Sequence, residues 1–83
     1  MPLYMDLHTI GGGVAVSDVA KAHMADLQTQ GKYDVRYLRY WVNESEGKVF
    51  CLVEAPSAEA AVTVHKEAHG LVADAVYEVQ EGS

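Results

Sequence analysis

The stretch "YDVRYLRYWVNESEGKVFCLVEA", Tyr33 to Ala55, decides the fold. Its first half is dense in aromatic and β-branched residues and alternates, with Val35, Tyr37, Arg39 and Trp41 on one face and Arg36, Leu38, Tyr40 and Val42 on the other. Neither face is purely polar, as expected of a strand covered on both sides. "ESEG", from Glu44 to Gly47, reads as a turn, and "KVFCLVEA" returns as a nearly continuous apolar run, the pattern of a central strand. A β-hairpin therefore stands in the middle of the chain.

The flanks each supply one strand and one helix, with no internal sequence repeat. "LYMDLH", Leu3 to His8, alternates strictly, Leu3, Met5 and Leu7 against Tyr4, Asp6 and His8, and predicts the first strand. Ser17 is expected to cap a helix with Asp18 at its positive end; Val19, Ala20, His23, Met24 and Leu27 form its apolar stripe and Gly31 its stop. After the hairpin, Pro56 and the N-cap Ser57 open a second helix, with Ala58, Ala61, Val62, His65 and Ala68 or His69 on one stripe and Gly70 as C-cap. "ADAVYEVQE" then resumes alternation as a last strand. The order β-α-β-β-α-β predicts an α+β, ferredoxin-like domain over residues 1–83: a four-stranded antiparallel sheet with both helices on one face. In that fold the strands lie in the order four, one, three, two. Tyr4, Tyr37 and Trp41 are expected on the face without helices, where a second copy would pack sheet to sheet as a homodimer.

Composition agrees with this plan and narrows the function. The chain has 83 residues, of which 49% are hydrophobic and 22% charged, so it is globular, and so large an apolar fraction on so small a body again favours association. Twelve acidic residues against six basic give a formal charge of −6, which argues against nucleic acid as a partner. No apolar run approaches a membrane span and no signal-peptide pattern opens the chain, so the expected location is cytoplasmic. "GGG" at Gly11 to Gly13 follows a strand but lacks the frame of a phosphate-binding loop.

The chemistry-bearing residues cluster around "VHKEAHGL", Val64 to Leu71, and the only cysteine, Cys51. His65 and His69 are four apart and share a helix face, and the second helix runs back along the strand that holds Cys51. Asp6 and His8 share a face of the neighbouring strand. Imidazole with thiolate suits nickel, copper or zinc rather than magnesium or calcium. The spacing is equally that of a packed helix, with His69 against the negative helix end, His23 a boundary residue and Cys51 a small buried hydrophobe. The alternation leaves open whether Cys51 faces the helices. A rival reading, by analogy of fold alone, is a cofactor-independent oxygenase or isomerase whose cavity is lined by His23, Tyr37, Trp41 and Asn43. A nucleophilic role for Cys51 fits poorly with a place between Phe50 and Leu52 in mid-strand.

Trp41-Val42, "KVFCLVEAP" with Cys51, "EAAVTVH" with His65 and "GLVADAVYEV" together resemble a family of small bacterial proteins, first described as a domain of unknown function and best known for a nickel-binding, ferredoxin-like member. The resemblance implies a homodimer that binds nickel and is not an enzyme. Cys51 and His65 are the positions that match the family pattern and are expected to anchor a metal site, with His8, Asp6 and His69 as further ligands there or at a second, more exposed site.

Overall fold

The computed structural model describes residues 1–82. Its elements are β1 (Leu3–Thr9), α1 (Val16–Thr29), a short 3-10 turn (Gln30–Tyr33), β2 (Arg36–Asn43), β3 (Lys48–Glu54), α2 (Ala58–Ala68) and β4 (Ala75–Val79). The strands form one antiparallel sheet in the order β2-β3-β1-β4, so β1 and β3 are central, as the ferredoxin-like reading requires. Both helices lie on one face.

Two of the three residues expected on the open face of the sheet, Tyr4 and Tyr37, are buried. Tyr4, Asp6 and His8 of β1 are buried beneath the helices, while Leu3, Met5 and Leu7 face the other way. Val49, Cys51 and Val53 of β3 also point inward, which settles the face of Cys51. Tyr37 is buried among them and is not on the open face, whereas Trp41 is on that face. The split arises at a bulge: Tyr37 pairs with Val53 and Arg39 with Leu52, so Leu38 is an extra residue that resets the alternation of β2. Beyond it Tyr40 and Val42 turn inward and Arg39 and Trp41 outward. The burial of Asp6 and His8 is tolerable because the groups satisfy one another; among the described residues no buried side-chain polar atom lacks a partner.

The first helix also departs from its reading. It begins at Val16 after Ala15, not at a Ser17 cap, and no side chain of its own caps it. The carboxylate of Glu44, in the β2–β3 turn, accepts from the Val16 N–H at 3.0 Å instead. A distant hairpin thus supplies what a local serine was expected to supply. The helix ends at Thr29 and passes into the 3-10 turn, which takes up Tyr33, and β2 starts three residues after that. Met24 and Leu27, assigned to the core stripe, are 57% and 41% exposed. The inward face is Val19, Ala22, His23 and Asp26, at the three- and four-residue steps of a helix but rotated from the apolar stripe.

The second helix keeps its expected Ser57 cap, but its inward face takes the fully buried Val64 where the sequence stripe has Val62. The Ser57 hydroxyl accepts from the Ala60 N–H at 3.2 Å, and Ala61, Val64 and His65 face the sheet. Gly70, with φ +79°, turns the chain after the C-cap His69. Residues Asp74 and Thr9 lock β4 to the end of β1: Asp74 N–H donates to the Leu7 carbonyl at 2.8 Å and its carboxylate accepts from Thr9 N–H at 2.6 Å.

The hairpin turn is clamped onto the loop between β1 and α1. Ile10 N–H donates to the Gly47 carbonyl at 2.7 Å and Val14 N–H to the Glu44 carbonyl at 3.2 Å. Gly47 has φ +67°, and a Cβ there would run into the Ile10 carbonyl oxygen. Gly47→Ala is therefore expected to destabilise the protein by at least about 2 kcal/mol, combining strain with a backbone clash. Urea unfolding of the variant checks this; a change within about 0.5 kcal/mol would mean the clamp is dispensable.

Candidate metal centre

Four elements, β1, β3, α1 and α2, converge between the helices and the sheet. β1 contributes Asp6 and His8 from its inward face, β3 contributes Cys51, α2 contributes His65, and α1 contributes Asp26. All five are buried. Two overlapping groups of donor atoms form: Asp6, His8, Cys51 and His65, and Asp26, His65 and His69, the donors within each lying within 4.8 Å of one another. The five residues read from the sequence as candidate ligands are thus all brought together, but they are divided into these two groups.

His65 is the hinge between the groups, because its two ring nitrogens face opposite carboxylates. Nε2 is 3.0 Å from Asp6 Oδ2 and Nδ1 is 2.8 Å from Asp26 Oδ1. Asp6 is further held by His8 Nε2 at 3.1 Å and by the Tyr37 hydroxyl at 3.1 Å, which also lies 3.1 Å from the Ala61 carbonyl. The Tyr37 ring stacks on His65, with centroids 4.3 Å apart and planes at 28°. His69 Nε2 reaches Asp26 Oδ1 at 3.0 Å, and its Nδ1 accepts from the Leu71 N–H at 3.1 Å. His69 is therefore the tautomer with hydrogen on Nε2.

The electrostatics follow from burial set against these partners. Burial alone would depress the His65 pKa, but the hydrogen bonds and charges of Asp26 and Asp6 outweigh it and raise the value to about 9. Burial alone would raise Asp6, yet the hydrogen bonds and charges of His65 and His8 hold it well below the ordinary carboxylate range. Burial and the neighbouring Asp6 carboxylate push the Cys51 thiol up, and burial followed by Asp6 and Asp26 pushes Tyr37 up. Burial lowers His69. At neutral pH His65 is an imidazolium held between the Asp6 and Asp26 side chains, with a protonated thiol nearby.

Asp26 and Tyr37 are the contributors that sequence reasoning missed. Asp26 lies seven residues after Val19 and three after His23, a spacing that marks the inward helix face once apolar weight is set aside. Tyr37 lies on the inward face, opposite to where its alternation with Trp41 points, because the bulge is invisible in the sequence pattern. The residues of the rival enzyme reading do not converge: Trp41 is on the opposite face, Asn43 bonds Ser45 and Glu46 in the hairpin, Tyr37 is sealed under α2, and only His23 borders the cavity beside the cluster. That cavity, between α1 and the sheet, is about 70 Å³, with mostly apolar walls that include Val14, Val19 and Val49. It is about half the ~150 Å³ of an apolar cavity known to take up benzene.

The raised His65 value fixes a pH dependence. A group that binds its proton more tightly folded than unfolded contributes stability that is fully present below its unfolded value, near 6.5, and is lost as pH rises through about 9. Chelator-treated protein should lose stability between pH 6.5 and 9, by a few kcal/mol, and His65→Gln should flatten that slope. Urea midpoints across the range measure it, and the ring-proton shifts of His65 in the unmutated protein should report an imidazolium still present at pH 8.

No curated protein matches the chain. Among solved structures it is similar to the crystal structure of SCO4226 from Streptomyces coelicolor A3(2), with a TM-score of 0.90 and 34% identity over 98% of this chain and 99% of that one. The family model described as "Nickel responsive protein SCO4226-like" matches residues 4–79, nearly the whole sequence, and with the shared fold this establishes that the chain belongs to the SCO4226-like family of nickel responsive proteins.

Proposed function

We propose that this protein binds a divalent transition metal, nickel foremost, at Asp6, His8, Cys51 and His65, and that it stores or buffers nickel rather than catalysing a reaction. The observation that carries this reading is the meeting of a carboxylate, two imidazoles and a thiol, all buried, within 4.8 Å of one another. Ligands at 2.0–2.3 Å from one ion lie about 3.5 Å apart, and the Asp6 carboxylate already stands 3.1 Å from His8 Nε2 and 3.0 Å from His65 Nε2. The donor set is borderline-soft and suits nickel, zinc or copper; the family description favours nickel.

The chain's own groups set the terms of binding. An ion must displace a proton from His65 Nε2 and another from Cys51, so uptake releases about two protons at neutral pH and weakens steeply on acidification. The cavity between α1 and the sheet borders Cys51, His8 and His65. The net charge of −6 favours cations at the surface. A lone cysteine kept as a thiol fits a cytoplasmic, reducing location.

The second part of the proposal is a homodimer through the open sheet face. Leu38, Trp41, Phe50 and Tyr77 are exposed there, between 36% and 60%, around a groove of about 530 Å³ floored by Leu3, Met5 and Leu52. A continuous apolar face of this kind on so small a chain is what a second copy would cover.

Calorimetric titration of chelator-stripped protein with nickel, zinc and copper tests the first part. Saturable nickel binding that Cys51→Ser or His65→Ala weakens at least about 10-fold, with roughly two protons released per ion, is the expected result. Binding indifferent to both substitutions would remove the buried cluster as the site. For the second part, Trp41→Glu should convert a dimer to a monomer in sedimentation; a wild-type monomer at high concentration would refute it.

A further inference from the structure

The two nitrogens of His65 cannot play the same part. Nε2 faces the group that holds Asp6, His8 and Cys51, and Nδ1 faces Asp26 on α1 at 2.8 Å. Imidazole offers a metal a lone pair on one nitrogen only while the other keeps its hydrogen, and that hydrogen stays where an acceptor holds it. Asp26 is 2% exposed and is the acceptor on the Nδ1 side. It also accepts from His69 Nε2–H, whose tautomer is fixed from behind by the Leu71 amide donating to Nδ1.

Resting on the metal-binding reading above, we infer that Asp26 is the positioning residue of the centre: its carboxylate keeps the hydrogen on His65 Nδ1 and so presents Nε2 to the ion. His69 is placed behind it, as a donor that orients Asp26 rather than as a ligand. The alternative use of the same groups is a second ion at Asp26, His65 and His69. It would require stripping hydrogen from His69 Nε2 and His65 Nδ1 together, turning His65 into a bridging imidazolate. Asp26 Oδ1 stands 2.8 Å from His65 Nδ1 and 3.0 Å from His69 Nε2, nearer than the 3.2 Å between those two nitrogens, so it is the acceptor for both N–H groups, and the Leu71 amide occupies the only free lone pair of His69. Geometry thus favours one ion and a carboxylate–histidine pair over two ions.

The roles of "VHKEAHGL" are therefore unequal: His65 binds, and His69 holds the group that aims it.

The test is Asp26→Asn, nearly isosteric, with Asp26→Ala beside it, each checked for fold by circular dichroism. Nickel chloride titration should give one ion per chain in the wild type and in Asp26→Asn, with affinity about 10- to 100-fold weaker in the variant. The number and kind of nearest donors, read by X-ray absorption at the nickel edge, should be unchanged. Two ions per chain in the wild type falling to one in Asp26→Asn, or loss of one oxygen donor from the nickel, would overturn the inference by making Asp26 a ligand. Unchanged affinity would overturn it as well. A metal-free readout separates this from the binding reading: in ¹⁵N-labelled protein the low-field His65 Nδ1–H resonance should be present in the wild type and lost in Asp26→Asn, and its persistence in the variant would show that Asp26 does not hold the ring. Failure of the wild type to take up nickel would instead overturn the function proposed above, with the ring resonance still deciding whether Asp26 holds His65.

Discussion

The imidazolium of His65, clasped between Asp6 and Asp26, is the constraint on which the rest of the architecture depends. Two carboxylates under two helices, in a body this small, would be ruinous to burial if left alone. One cation between them makes their burial tolerable and at the same time joins the first strand, the first helix and the second helix. Tyr37 caps the arrangement from the third side by stacking on the ring and bonding the same Asp6 oxygen. Because every member is satisfied, the cluster acts as a specific joint and not as a local defect.

That joint explains why the sheet turns its polar set inward. On β1 the alternation offers a choice between burying Leu3, Met5 and Leu7 or burying Tyr4, Asp6 and His8, and the second set is chosen because it meets His65 and Tyr37. The apolar set is thereby left on the open face, next to Trp41 and Phe50. The centre inside and the uncovered apolar surface outside are two results of a single choice of strand orientation.

Much of this is legible in the sequence. Element order and the Ser57 cap follow from period and spacing, the central position of the two inner strands follows from the fold that this order implies, and the grouping of Cys51, His65, Asp6 and His8 is an expectation that alternation leaves open and the family resemblance favours. What fails does so for identifiable reasons. Met24 and Leu27 carry the apolar weight of α1, but the helix turns Asp26 inward because the energy of a satisfied ion pair competes with that of two exposed side chains. The helix start is displaced because Glu44, far away in sequence, provides the cap. The faces of β2 are misassigned because a bulge leaves no mark in a run of mixed aromatic and charged residues. In each case the deciding partner lies in another element, where local pattern has no access.

The bulge at Leu38 marks a place where the strand can change length. Strand β2 is an edge strand, and Leu38 and Arg39 stand outward in succession, so a chain shorter by that one residue would run from Tyr37 to Trp41 in unbroken alternation with every other side chain on its present face. The position is one where length can change while both the centre and the open face are preserved. One extra residue, absorbed as a kink at the margin of the sheet, leaves both surfaces served by the strand undisturbed.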